Sequence, residues 1–104
     1  MTTSVEPYLS TSYHPDREFV DGLIVERNLG ERTHSRIEAA LIVNFHARSA
    51  LYGTEVFPGV RVQVSPTRIR VPDITVIENS QFQGEIFTAP HLCIEILSKK
   101  DTME

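Results

Sequence analysis

Two carboxylates stand where a carboxylate needs an explanation. Asp73 follows Pro72 and opens the run Asp73 to Ile77 (DITVI), β-branched apart from that first residue. Glu95 lies inside His91 to Leu97 (HLCIEIL), the most apolar run of the chain. A buried carboxylate is costly unless it is paired, protonated or bound to a metal. If the two runs are paired strands, Asp73 and Glu95 converge. Two carboxylates with open water positions make a Mg²⁺ or Mn²⁺ site, because these hard cations take oxygen ligands and retain water. Such an ion activates water and stabilises charge on a phosphodiester. The same residues also have a plainer reading: an aspartate after proline is a common turn residue, and a glutamate in a short strand can face solvent.

The chain that must position them has 104 residues, 40% hydrophobic and 23% charged. This is the composition of one globular domain at the small end of the usual range. No run of about 18 apolar residues is present, which excludes a transmembrane helix. The N-terminus carries no basic region followed by an apolar stretch, so no secretory signal is expected. The single cysteine, Cys93, cannot build a disulfide framework, which points to the cytoplasm, and its apolar neighbours predict a small buried hydrophobe. A net charge of -4 argues against coating nucleic acid through bulk charge. It leaves room for acidic residues that hold a metal against a phosphate.

Residues 1–12 read as a flexible N-terminal segment, with a short helical turn from Pro7 to Tyr13, and residues 13–104 as the domain. Arg17 to Val20 and Leu23 to Arg27 flank Asp21-Gly22, a strong hairpin signal because the turn needs positive φ. Thr33 to Tyr52 carries Ile37, Leu41, Phe45 and Leu51/Tyr52 on one face, which predicts one long helix with Gly53 as its stop. Val60, Val62 and Val64 alternate with polar residues, as do Arg68 to Val71; both runs read as half-buried strands. Residues 78–90 read as a loop, and 91–97 as a central strand covered on both faces. The order gives an α/β or α+β fold with a mainly antiparallel sheet. A helix on one face only leaves the other sheet face to be covered by association, and a homodimer is the simplest such assembly.

Other polar residues have two readings each. His34, near the start of the long helix, contacts a phosphate or the site, or is a surface or capping histidine. His46 reads as surface, and His14 and His91 lack ligand spacing. Arg61, Arg68 and Arg70 make either a basic strip for a phosphate backbone or a solvated strand face. Gln63 shares the alternating face of Arg61 and is a further candidate to line the site.

The segment Gly59 to Ile77 (GVRVQVSPTRIRVPDITVI), followed by Ala89 to Ser98 (APHLCIEILS), resembles the Uma2 family, also called DUF820, of restriction-endonuclease-like proteins. Arg17 to Val25 (REFVDGLIV) resembles that family's YELIDGELV segment, and His34 the histidine that opens its first helix. The resemblance runs from about residue 13 to the C-terminus. It implies the PD-(D/E)xK nuclease fold, a mixed sheet flanked by helices, in which the C-terminal part of the usual domain is missing here. It implies Asp73 and Glu95 as ligands of Mg²⁺ or Mn²⁺ and Glu18 as a third member of the site. The general motif places a lysine two positions after the glutamate, where this chain has Leu97; Lys99 and Lys100 lie nearby, and Lys100 is the candidate to stabilise developing charge. The expected activity is metal-dependent hydrolysis of DNA phosphodiesters. The alternative is an inactive nuclease-like domain that oligomerises or binds a partner, or a module that binds nucleic acid without cutting it.

Overall fold

A computed structural model describes residues 4–27, 32–81 and 84–97. Helix α1 (Val5–Leu9) comes first, followed by strands β1 (Arg17–Val20) and β2 (Leu23–Glu26). Helices α2 (Arg32–Ala47) and α3 (Ser49–Tyr52) precede strands β3 (Thr54–Pro58), β4 (Val62–Ser65), β5 (Arg68–Arg70), β6 (Ile74–Glu78) and β7 (Leu92–Ile94). The strands form two antiparallel sheets, β2-β1-β5-β4 and β3-β6-β7. The α+β class expected from the sequence is what the structure shows, with the strands sorted into two sheets.

The first hairpin forms as its turn dictates. Asp21 and Gly22 both take positive φ, 49° and 90°, and Arg17 to Val20 pair with Glu26 to Leu23. β5 adds to the other edge of β1, Phe19 facing Ile69. This buries Phe19 and Ile69 against Tyr8 of α1, a first small core supported by Val5, Tyr13 and Ile24. Tyr8 is fully buried, so part of the segment expected to be loose forms a helix that seals a sheet. The expected turn at 7–13 sits earlier, at Val5–Leu9.

The long helix is interrupted at Arg48. The N–H of Arg48 bonds back three residues to Phe45, a tightened last turn, and a new helical turn then runs to Tyr52. Gly53 ends it in the left-handed conformation, φ 64° and ψ 39°. The apolar face of α2 rests on β3. That cover is incomplete: Ile37, Val43, Leu51 and Tyr52 are exposed.

β6 is the central strand of the second sheet and is buried from Ile74 to Ile77. A second small core gathers Val62, Ile77 and Phe87, with Phe57 and Val60 beside it. The run 91–97 departs from expectation. Only Leu92–Ile94 is strand, and it pairs with β6 alone among the described residues. Leu92, Cys93 and Leu97 are therefore exposed, and Cys93 is not a buried hydrophobe.

The two sheets are joined by the link Val71-Pro72-Asp73, between β5 and β6. All three residues are buried. Asp73 thus stands at the seam where one sheet hands over to the other.

Candidate functional site

The register of β6 on β7 pairs Ile74 with Ile94 and Thr75 with Cys93. Carried one step further, it sets Asp73 opposite Glu95. The charge of Asp73 acts on the Glu95 carboxyl. The strand pairing that the sequence suggested does bring the two together.

Asp73 is 4% exposed and is held from three directions. The backbone N–H of Ile96 donates to Oδ2 at 2.7 Å. His34 Nε2 lies 3.1 Å from the same oxygen. An ionised carboxylate only accepts, so this nitrogen carries the proton. Arg27 donates to Oδ1 at 3.1 Å. His34, 8% exposed, is therefore a buried partner of Asp73, and the surface or capping reading does not hold. Arg27 has no local sequence signal for this role. It follows the first hairpin and meets a residue far along the chain, and only the fold makes that contact visible.

Glu18 reaches the seam from β1. Its Oε2 accepts the N–H of Val71 at 2.8 Å, and its Oε1 lies 3.3 Å from Arg70. Glu95 is exposed as a residue, but its carboxyl has lost part of its solvent and feels nearby charge. Loss of solvent, then the charges of Asp73 and Glu18, push that carboxyl up to about 7; Arg27 pulls the other way. The three carboxylates named from the sequence thus share one electrostatic neighbourhood. Lys100 lies outside the described residues.

The arginines of the expected strip are committed elsewhere. Arg61 holds Asp16 with two bonds of 2.8 Å and stacks over Tyr8. Arg68 grips Asp21, and Arg70 faces Glu18. Each charge is matched by a carboxylate, so the strip carries no free positive field. Gln63 bonds through its backbone N–H to Phe87, within the second core.

Among the described residues, no three His, Cys, Asp or Glu side chains are gathered closely enough to hold an ion as they stand. The donor chemistry nevertheless suits a hard divalent cation. Mg²⁺ takes one or two carboxylates and keeps several waters. The Asp73–Glu95 pair offers those ligands; loss of solvent raises the Glu95 carboxyl most, and the charges of Asp73 and Glu18, which add to it, are ones that a cation relieves.

The family model Uma2, described as "Putative restriction endonuclease", matches residues 8–104. The chain belongs to the Uma2 family. A solved structure described as a "putative nuclease belonging to DUF820", from Anabaena variabilis, is similar to this Uma2 chain with a TM-score of 0.82 at 23% sequence identity. The match covers 99% of this chain and 62% of that one, so the present chain spans about three fifths of the solved protein's length. At that identity the likeness establishes the fold. No curated protein matches this Uma2 chain. No helix among the described residues is long and apolar enough to cross a membrane.

Proposed function

We propose that this chain carries the carboxylate centre of a metal-dependent endonuclease that hydrolyses DNA phosphodiester bonds. The observation that supports it is the Asp73–Glu95 pair, set opposite one another by the β6–β7 register at the seam of the two sheets and within the field of Glu18. Membership of a family described by restriction endonucleases supports the substrate class.

In this reading Asp73 and Glu95 hold Mg²⁺ or Mn²⁺. Such an ion supplies activation of water and charge stabilisation at a phosphoryl oxygen. The chain's own residues do the positioning. His34 and the Ile96 N–H fix the Asp73 carboxylate, so that little reorganisation is needed when a phosphodiester arrives. Glu18 anchors the link on which Asp73 stands. Lys100 is the candidate to stabilise developing negative charge. The single cysteine, in no disulfide, accords with a cytoplasmic protein.

Calorimetry with Mn²⁺ on the wild type and on Asp73→Ala tests the centre. Binding by the wild type that is lost in the variant is expected, together with metal-dependent nicking of plasmid DNA that follows the same pattern. Equal binding by both chains would remove the proposal.

A second reading rests on β7. Its outer edge is unpaired among the described residues, and Leu92 and Leu97 are exposed beside it. A strand edge with apolar neighbours favours pairing with a second copy. Sedimentation should then show a concentration-dependent dimer that Leu92→Lys abolishes. A monomer at all concentrations would reject it.

A further inference from the structure

The metal-centre reading leaves Arg27 without a role, and the inference here rests on that reading. The Asp73 carboxylate has about four lone-pair directions. Oδ2 already receives two N–H donors, from Ile96 and from His34. One is backbone tied to β7, and the other is a ring buried at the first turn of α2; neither is free to withdraw. Oδ1 receives Arg27. An ion approaching Asp73 must therefore use the remaining direction on Oδ1, directly beside the guanidinium charge bound to the same oxygen.

Arg27 is well placed to be displaced. Its side chain is 15% exposed, and its charge acts on Glu95 as well as on Asp73. It also lines a cavity of about 230 Å³ whose wall includes Asp16 and Glu26. Asp16 is taken by Arg61, but among the described residues Glu26 is held by the partly exposed Arg17 alone, at 3.2 Å. A guanidinium repelled by a divalent ion has space and a carboxylate to move towards.

We propose that Arg27 is the resident counter-ion of the Asp73–Glu95 pair and competes with a divalent cation for Oδ1 of Asp73. The centre is held together by Arg27 without metal and opened by its departure. This arrangement accounts for a site that has the ligands for an ion but not yet the geometry.

Calorimetry with Mn²⁺ alone, on the full chain, reads the competition. Removing a unit charge at contact distance should tighten binding by about tenfold in Arg27→Gln. Arg27→Lys, which keeps the charge, should stay near the wild type, and Asp73→Asn should bind nothing. If the wild type binds, Asp73→Asn does not, and Arg27→Gln binds equally or more weakly, the competition is overturned while the metal centre stands. If neither the wild type nor Arg27→Gln binds, both fall. A wild-type measurement guards against a variant that fails to fold. Titration with Mg²⁺ should release the Arg27 side-chain N–H resonance into fast exchange with water, and a resonance unchanged at saturation overturns the proposal.

Discussion

The carboxylate of Glu18 accepts the backbone N–H of Val71 at 2.8 Å, so β1 of the first sheet holds the link that delivers Asp73 to the second. Val71 is buried, and without Glu18 its N–H has lost that acceptor. Glu18→Ala should therefore cost about 1–3 kcal/mol of folding stability. Glu18→Gln keeps an acceptor oxygen and should cost less than half as much. Urea denaturation of the two variants measures the difference; equal losses would show that the link does not depend on this bond.

His34 and His46 share helix α2 and separate sharply in their surroundings. His34 is buried on Asp73, and His46 is exposed. A hydrogen bond to a charged group contributes about 1.5–3 kcal/mol. His34→Ala should destabilise the protein by that order, and His46→Ala by no more than about 0.5 kcal/mol, as for an ordinary surface change. Thermal and urea unfolding of both variants give the comparison.

Arg61 and Arg68 both clasp an aspartate, yet they should respond differently to substitution. Arg61 makes two bonds to Asp16, donates to the carbonyls of Tyr8 and Thr11, and lies 4.0 Å from the Tyr8 ring centre. Arg68 and Asp21 are about half exposed. A lysine cannot reproduce the planar fork, so Arg61→Lys should cost about 1–3 kcal/mol. Arg68→Ala should cost far less, because water screens an exposed pair. The test is the shift in urea midpoint at constant slope.

Tyr8 ties stability to alkaline pH. Burial pushes its phenol up to about 12 from an ordinary value of 10.0, against the pull of Arg61. The unfolded chain loses this proton first. The contribution is whole below about pH 10 and is lost progressively as pH rises towards 12. One of the three tyrosines should titrate late in phenolate absorbance, together with unfolding. Tyr8→Phe should flatten the alkaline decline and cost about 1 kcal/mol at neutral pH, because its hydroxyl donates to the Arg17 carbonyl. Native-state titration of all three phenols near 10 would contradict this.

Local chemistry made much of the fold readable in advance. Asp21-Gly22 announced its hairpin, Gly53 its helix end, and the β-branched residues after Asp73 a buried strand. Asp73 and Glu95 converge if their two runs pair, and β6 and β7 do pair. Burial in 91–97 was not readable that way, since an apolar run shows what a strand prefers and not which neighbours cover it. The break at Arg48 also escaped, because the apolar spacing continues across it. Arg27 and His34 meet Asp73 only through tertiary contact, and no local pattern encodes a partner 46 or 39 residues away.

The Val71-Pro72-Asp73 link also decides where this chain tolerates changes of length. Side chains alternate faces along a strand, so one residue added or removed there would turn Asp73 away from Glu95 or shift the whole of β6 by one register. The connection that follows Glu78 has no such alternation to keep across its exposed residues 79–81. Among relatives, insertions and deletions should accumulate in that connection and be purged from the seam.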